Sequence, residues 1–286
     1  MADAVIIIPH YNDLERLMRC LAALAPQIDA RTDLLVVDNG STDSLAPLRA
    51  AHPNLRIVIE PRKGAACARN RGVVETTAPR LFFLDCDCLP ASDWLDAAFR
   101  MAPLADLVGG AVRVFDESAP PRTGAQAFEA VFAFDNRAYI ETKGFSVTAN
   151  LITRRDVFAA VGDFVPGLSE DLDWCHRARA KGYSIVYAGD LQVGHPSRGD
   201  WAALARKWRR LTDEMFGTHG RDLIARVTWV FRALTMPASV LVHSPRVLRH
   251  PALNSGTERR AALGTLLRLR LTRMVWMLRQ AVGLGI

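Results

Sequence analysis

The chain has 286 residues and a mass of 31.5 kDa, and half of its residues are hydrophobic. This length and composition exclude an intrinsically disordered chain and allow a real core, either as one large α/β domain or as one domain with an appendage. The net charge of +6 is unevenly distributed: residues 1–197 contain 20 Lys and Arg against 25 Asp and Glu, whereas residues 198–286 contain 16 against 5. The last third therefore carries a net charge of +11, which indicates an anionic partner surface, either lipid headgroups or nucleic acid.

The cysteines and the N-terminus indicate a reducing, cytoplasmic setting. The five cysteines are odd in number and form no pair of C-x-x-C motifs, so a zinc site is not indicated. Residues 1–4 lack the basic region of a signal peptide, and the apolar run Val5–Ile8 is too short for one. No uninterrupted apolar stretch reaches the roughly 18 residues of a membrane-spanning helix. We therefore expect a cytoplasmic protein.

The first hundred residues predict an open α/β sheet. Val5–Ile8 and Leu34–Val37 are typical of strands buried on both faces of a parallel sheet, and Pro9 is expected to end the first strand. Between them, apolar residues at helical spacing over 14–24 predict a helix with Asn12 or Asp13 as its N-cap. This order is a βαβ unit, whose crossover is right-handed. Two further strands are predicted at Ile57–Ile59 and Leu81–Leu84, with a helix between them.

Polar residues follow three of these strands at their carboxyl ends. They are 10–13 after the first strand, 38–43 after the second, and Asp85 with Asp87 after the fourth. Ligands of open α/β sheets bind beyond this edge. Two carboxylates at i and i+2 project to the same side and can hold Mg²⁺ or Mn²⁺, which completes its shell with water and phosphate; a plain acidic turn is the alternative. The absence of G-x-G-x-x-G after the first strand and of a Walker A motif argues against a dinucleotide or P-loop site.

The second half of the acidic region alternates less regularly. It predicts, in order, a strand at 107–114, a helix at 125–141, extended structure at 144–152, a helix at 156–161, a helix that opens at 169, and a strand at 184–188. Ser169 is the predicted N-cap of the fifth of these elements, and Glu170 and Asp171 lie in its first turn, where carboxylates favour the helix dipole. The plain alternative is an acidic helix start with no further role.

The order of these motifs resembles that of the family 2 glycosyltransferases, which have the GT-A fold. The resemblance rests on Ile8–Asn12, Val37–Asp43, Ala68–Gly72, the D-x-D at Asp85 and Asp87, Glu170-Asp171 at a helix start, and the late histidine His195. It implies an α/β fold with an open, mostly parallel sheet flanked by helices over residues 1–197. Residues 1–100 would be the nucleotide-binding half and residues 101–197 the acceptor half. The resemblance does not cover residues 198–286, whose composition predicts a basic, Trp- and Arg-rich helical extension.

The resemblance also implies roles for individual residues. Pro9, Tyr11 and Asp38 would contact the nucleotide, and Lys63 and Arg69 would border it. Many members have an aspartate where this chain has Asn39, which leaves a base contact at that position open. Asp85 is expected near the ribose or donor sugar. Asp87 would bind Mn²⁺ or Mg²⁺ with His195 completing the site, although a histidine before a proline is also found as a merely hydrogen-bonded residue.

The chemistry implied by the resemblance is glycosyl transfer by one direct, inverting displacement. A sugar hydroxyl is a weak nucleophile, so it needs a general base, for which Asp171 is the candidate, with Glu170 orienting the acceptor. The implied donor is a nucleotide sugar, with a UDP-sugar favoured, and the implied acceptor is a saccharide or lipid-linked saccharide. A sugar nucleotidyltransferase and a non-catalytic nucleotide-sugar-binding subunit are the alternatives, and the first should carry a Gly-rich basic loop where residues 9–12 stand.

The basic third has tryptophans interleaved with arginines. Trp201, Trp208, Trp229 and Trp276 lie among them, and residues 227–242 are apolar apart from Arg232. Amphipathic helices of this kind can lie among anionic headgroups, which predicts a peripheral protein at the inner face of the plasma membrane. The alternatives are a helical subdomain packed on the catalytic core or on a second subunit, as in a homodimer, and single-stranded nucleic-acid binding. We rank nucleic acid lowest, because lipid-linked acceptors already give a reason to visit a membrane.

Overall fold

The computed structural model describes residues 2–167, 169–220 and 222–286, except for the side chain of residue 218. The chain forms two compact units. The first comprises Met1–Arg113 and Asp135–His195, and the second comprises Val114–Phe134 and Pro196–Ile286. The sequence predicts one boundary, after residue 197, and does not anticipate that 114–134 joins the C-terminal part.

The first unit is built on one eight-stranded sheet with the order β3-β2-β1-β4-β7-β6-β8-β5. The strands are β1 (Ala4–His10), β2 (Thr32–Asp38), β3 (Arg56–Ile59), β4 (Arg80–Leu84), β5 (Leu89–Pro90), β6 (Leu107–Phe115), β7 (Asn150–Arg154) and β8 (Ile185–Pro196). Strands β1 to β4 are parallel, whereas β7 is antiparallel to β4 and β6, and β5 is antiparallel to β8. The predicted α/β class with an open, mostly parallel sheet is confirmed.

The two units also contain α-helices. They are α1 (Leu14–Leu24), α2 (Ala46–Ala51), α3 (Ala65–Val74), α4 (Trp94–Met101), α5 (Gly124–Phe132), α6 (Asn136–Ala138), α7 (Arg155–Val161), α8 (Glu170–Ala180), α9 (Trp201–His219), α10 (Leu223–Leu234), α11 (Ser239–Arg249) and α12 (Gly256–Ala281). Helix α1 confirms the periodicity of the sequence, although its N-cap residue Asp13 makes no side-chain capping bond. Ser169 likewise stands at the N-cap of α8 without a side-chain capping bond.

Strand β1 lies at the centre of the parallel part, between β2 and β4, and all of its residues are buried. Helix α3 packs closely against it, because a Cβ at Gly72 would lie only 2.4 Å from Ile7 Cγ2. The expectation that Pro9 ends the strand is wrong, since β1 continues to His10. Pro9 is tolerated because the pairing with β4 has already ended at Ile7, so no amide donor is needed on that side.

Three predicted elements differ from the structure. The helix expected over 125–141 is broken after α5, because the Asp135 side chain accepts a hydrogen bond from the Ala138 amide (3.3 Å) and starts α6, which a π-helical turn at Tyr139–Lys143 follows. The extended segment expected from 144 becomes a strand only at Asn150. Strand β8 is 12 residues long, well beyond the predicted 184–188, and it therefore carries His195.

The second unit is helical, as predicted for the C-terminal third. Helix α5 joins it because its apolar face shares one core with the C-terminal helices, in which Phe128 and Val131 pack with Leu204, Val247 and Leu266. Within the residues that the structure describes, no helix combines the length and apolar character needed to cross a membrane.

Asn150 joins three elements inside the first unit. Its side chain is fully buried, its Oδ1 accepts a hydrogen bond from Trp94 Nε1 (3.0 Å), and its Nδ2 donates to Ala111 O (3.1 Å) and Leu191 O (2.9 Å). One amide therefore links α4, β6 and β8 to β7. A buried polar group left without its partner costs about 1–3 kcal/mol.

We expect Asn150→Leu to lower the free energy of unfolding by about 3 kcal/mol or more, because three buried polar groups lose their partner at once. Urea denaturation followed by circular dichroism measures the change. Asn54→Leu, at an exposed loop position, is the control and should stay close to the wild type. Equal midpoints for the two variants would contradict the linking role of Asn150.

Candidate active site

The loops after β1 and β2 are joined by a buried histidine–aspartate pair. His10 Nε2 accepts a hydrogen bond from the Asp13 amide (3.2 Å), so the ring proton lies on Nδ1, which donates to Asp38 Oδ1 (3.0 Å). The Ser41 hydroxyl donates to the same oxygen (2.6 Å) and the Ser41 amide to Oδ2 (3.1 Å). Burial acts to raise the pKa of Asp38, but the hydrogen bonds from Ser41 and His10 outweigh it and lower the pKa. Asp38 is therefore a buried carboxylate that orders both loops.

Asn12 makes a second link between these loops. It is a non-glycine residue with a positive φ of 49°, and its amide donates to Ser41 Oγ (3.0 Å). Its side-chain oxygen accepts from the amide of Thr42 (2.8 Å). Contacts with the neighbouring loop thus stabilise the left-handed backbone at Asn12. The preceding residue, Tyr11, is exposed by 51%.

The side chain of Asn39 is fully engaged inside the protein. Its Nδ2 donates to the carbonyls of Glu60 (2.9 Å) and Arg62 (2.7 Å), and its Oδ1 accepts from the Gly64 amide (2.7 Å). Gly64 has a φ of +118° and is the N-cap residue of α3. Asn39 therefore fixes the segment that leads into α3.

Lys63 and Tyr11 form one exposed pair at this edge of the sheet. The ammonium of Lys63 lies 4.3 Å from the centre of the Tyr11 ring and donates to Gly40 O (2.9 Å). An aromatic ring in such a pair can stack on a nucleobase, and the cation beside it can attract phosphate. Pro9, in contrast, is buried within β1.

Arg69 connects the loop after β4 to the start of α8. Its Nη2 donates to Asp85 Oδ1 (2.5 Å) and its Nη1 to Glu170 Oε1 (2.9 Å). The guanidinium is almost fully buried, at 3% exposure, whereas both carboxylates remain partly accessible. Residues far apart in the sequence thus form one charged cluster around a single cation.

Asp171 lies next to this cluster and is the best candidate for proton transfer. Burial of its carboxyl, reinforced by the negative charge of Glu170, raises the pKa of Asp171 to about 6, although Arg69 acts in the opposite direction. A carboxyl group with this pKa is ionised near neutral pH yet retains appreciable basicity.

Asp87 and His195 lie side by side, with Oδ2 and Nε2 3.4 Å apart. Burial raises the pKa of Asp87, while His195 acts to lower it. A carboxylate oxygen is a suitable ligand for Mn²⁺ or Mg²⁺, and an imidazole nitrogen suits a transition-metal ion such as Mn²⁺ better than Mg²⁺. Among the described residues no group of three or more His, Cys, Asp and Glu is arranged to hold a metal. A cation held by this pair would need its remaining ligands from phosphate and water.

The predicted site residues fall into neighbouring groups at the carboxyl edge of the sheet. Arg69 brings Asp85 and Glu170 together, Tyr11 is paired with Lys63, and Asp87 with His195. Sequence reasoning missed His10, Asn12 and Ser41. The signal was available, because loops after neighbouring parallel strands meet at one edge and polar residues there can bond to each other.

An open sheet of this order, with a polar site beyond its parallel strands, is the GT-A fold. Among the solved structures with this fold is a mannosyltransferase of Pyrobaculum calidifontis in complex with GDP-Man and Mn²⁺, which is 17% identical with a TM-score of 0.55; the match covers 99% of this chain and 76% of that one. Another is residues 1–349 of TarS of Staphylococcus aureus in complex with UDP-GlcNAc, which is 15% identical with a TM-score of 0.55; the match covers 99% of this chain and 93% of that one.

The sequence comparisons identify the family. The Glycosyl transferase family 2 model matches residues 5–162, and the chain belongs to this family. Glycosyltransferase AglE of Haloferax volcanii is 33% identical over 215 residues, which cover 71% of this chain and 70% of the relative. An uncharacterised glycosyltransferase of Mycobacterium tuberculosis is 38% identical over 218 residues, 72% of this chain and 97% of the relative. The protein is thus a glycosyltransferase, and the nucleotidyltransferase alternative is set aside.

Two substitutions should move the pKa of Asp171 in opposite directions. Arg69→Met removes the nearby positive charge and is expected to raise it above about 6, whereas Glu170→Gln removes a negative charge and is expected to lower it. A ¹³C NMR titration of the carboxyl groups measures both, with Asp171→Asn used to assign the signal. Shifts of the same sign, or no shift in either variant, would contradict this electrostatic account.

Proposed function

We propose that the protein is an inverting, metal-dependent glycosyltransferase that moves a sugar from a nucleotide-sugar donor to a saccharide or lipid-linked saccharide acceptor in cell-surface polysaccharide or glycolipid synthesis. One observation carries the proposal: the bridge that Arg69 makes between Asp85 and Glu170, beside Asp171. It brings together Asp85, the proposed donor contact, and Glu170, the proposed acceptor contact. The proposed general base, Asp171, lies beside them.

The donor would bind at the edge formed by Tyr11, Lys63 and the loop that Asp38 orders. The nucleobase of the donor would stack on the exposed ring of Tyr11, and the ammonium of Lys63 would attract the donor's phosphates. The likeness in fold to proteins solved with GDP-Man and with UDP-GlcNAc supports a nucleotide-sugar donor. A UDP-sugar is the donor we favour.

Asp87 and His195 would hold the divalent cation, Mn²⁺ or Mg²⁺. When bound there, such an ion supplies positive charge for the diphosphate leaving group. The Mn²⁺ in the P. calidifontis structure supports this use. Asp85 forms an ion pair with Arg69. We therefore assign Asp85 a contact with the donor and assign the metal to Asp87.

Asp171 would remove the proton of the acceptor hydroxyl as that oxygen attacks the anomeric carbon. Glu170, held by Arg69, would accept a hydrogen bond from the acceptor and orient it. Attack from the side opposite the leaving group in a single displacement inverts the anomeric centre. The acceptor class, and a peripheral location at the inner face of the plasma membrane, are proposed from the resemblance and from the basic charge of residues 198–286.

A donor screen tests the function. Release of nucleoside diphosphate is followed with UDP-, GDP- and dTDP-sugars, with and without Mn²⁺, and turnover of at least one donor only with the metal is expected. Because Asp171 must be ionised to accept a proton, turnover should rise with pH through about 6 and then level off.

Asp171→Asn is the matched control, since it keeps the size of the side chain and removes the base. It should reduce turnover by about 10²–10⁴-fold while donor binding persists. Absence of binding and turnover with every donor would overturn the enzyme proposal. Unchanged turnover in Asp171→Asn would overturn only the assignment of the base.

Asp87 and Asp85 should differ in their effect on the metal. Asp87→Asn is expected to weaken Mn²⁺ binding, measured by calorimetry in the presence of nucleoside diphosphate, by at least about tenfold. Asp85→Asn should leave Mn²⁺ affinity nearly unchanged and weaken donor binding instead. An equal loss of metal affinity in the two variants would contradict the division of roles.

A further inference from the structure

Helix α10 presents an apolar stripe to solvent. Five side chains are exposed by 56% to 78%: Leu223, Ile224, Val227, Phe231 and Leu234. With about 100° per residue, they span an arc of roughly 100° on one side of the helix. We call these five residues the α10 face.

The opposite side of α10 is apolar as well, and it is buried. Trp229 and Ala233 are fully buried in a small core with Met277, and Trp229 Nε1 donates to Gln280 Oε1 (3.2 Å). A helix on the surface of a soluble protein ordinarily turns polar residues outward. The inner side therefore accounts for the packing of α10, and the described part of the chain assigns no structural role to the α10 face.

The surrounding sequence is basic. Residues 223–257 contain four arginines and no aspartate or glutamate. Arg226 and Arg232 flank the α10 face on its two sides. Exposed apolar side chains continue into α11 with Leu241 and Val242, at 78% and 76% exposure. Apart from the N-cap residue Asp222, the charged residues next to this apolar stripe in the sequence are arginines, which matches a surface with an apolar interior and anionic headgroups.

We propose that the α10 face inserts into the headgroup region of an anionic lipid bilayer, with Arg226 and Arg232 reaching the lipid phosphates. Helix α10 has 12 residues and a length of about 18 Å, and it lies in the plane of the interface. The proposal gives the expected membrane contact a defined surface. It does not depend on the glycosyl transfer proposed above.

A second copy of the chain fits this surface poorly. A two-fold dimer through the α10 face would bring two basic segments together, and residues 223–257 offer no carboxylate to oppose the arginines. Nucleic acid also fits poorly, because binding of single strands needs exposed aromatic rings. Trp229 is buried, and four of the five residues of the α10 face are aliphatic. Trp229, one of the four tryptophans from which the membrane contact was predicted, thus belongs to the core.

Sedimentation of the full-length protein with vesicles tests the proposal. Vesicles of phosphatidylcholine alone are compared with vesicles containing 3:1 phosphatidylcholine and phosphatidylglycerol, and the protein should pellet with the second kind. Phe231→Glu is expected to weaken this binding by about tenfold or more, because it removes an aromatic side chain that insertion would bury in the bilayer and adds a charge that anionic lipid repels.

Leu104→Glu is the matched control, since it makes the same charge change at an apolar position exposed by 63% in the first unit, and it should bind as the wild type does. Equal recovery of the wild type in the supernatant with both lipids would overturn the proposal, as would equal binding of the two variants. If the protein dimerises without vesicles and Phe231→Glu dissociates the dimer, the α10 face binds a second copy of the chain. If the protein binds oligonucleotide and Phe231→Glu abolishes that binding, the α10 face binds nucleic acid. Nucleoside diphosphate release without vesicles is measured in parallel and reports on the enzyme proposal alone.

Discussion

The candidate site depends on one buried cation. Arg69 emerges from the middle of α3, is almost completely shielded from water, and divides its two terminal nitrogens between carboxylates from the loop after β4 and from α8. A buried guanidinium is strongly unfavourable without opposite charge, and carboxylates crowded together are unfavourable without a cation. Each side of the cluster therefore stabilises the other, and the geometry of the site follows from that mutual requirement.

The carboxyl groups of the candidate site differ in pKa because their surroundings differ. Asp38 receives three hydrogen bonds and its pKa is lowered, so it stays charged and holds the loops. Asp171 lies beside the negative charge of Glu170 in a buried setting, and its pKa is raised. Groups of the same chemical type thus acquire different protonation behaviour from their surroundings.

Much of the fold could be predicted because its signals are local. The runs at Val5–Ile8 and Leu34–Val37 are buried strands, and the order of polar motifs after them identified the family. What could not be predicted depends on contacts distant in sequence. The proton position on His10 is set by the Asp13 amide and the Asp38 carboxylate together, and the grouping of 114–134 with the C-terminal helices depends on which core receives α5. Which side of α10 faces inward was equally hidden, because both sides are apolar.

The amide of Asn39 constrains how this protein can vary. Its nitrogen faces two carbonyl oxygens, and its oxygen faces the amide that opens α3. An aspartate at this position, as in many family members, would bring a carboxylate within hydrogen-bond distance of two acceptors and repel both. Replacement of Asn39 by aspartate is therefore expected to destabilise the segment over 60–64. The backbone that leads into α3 is thus matched to an amide side chain at position 39.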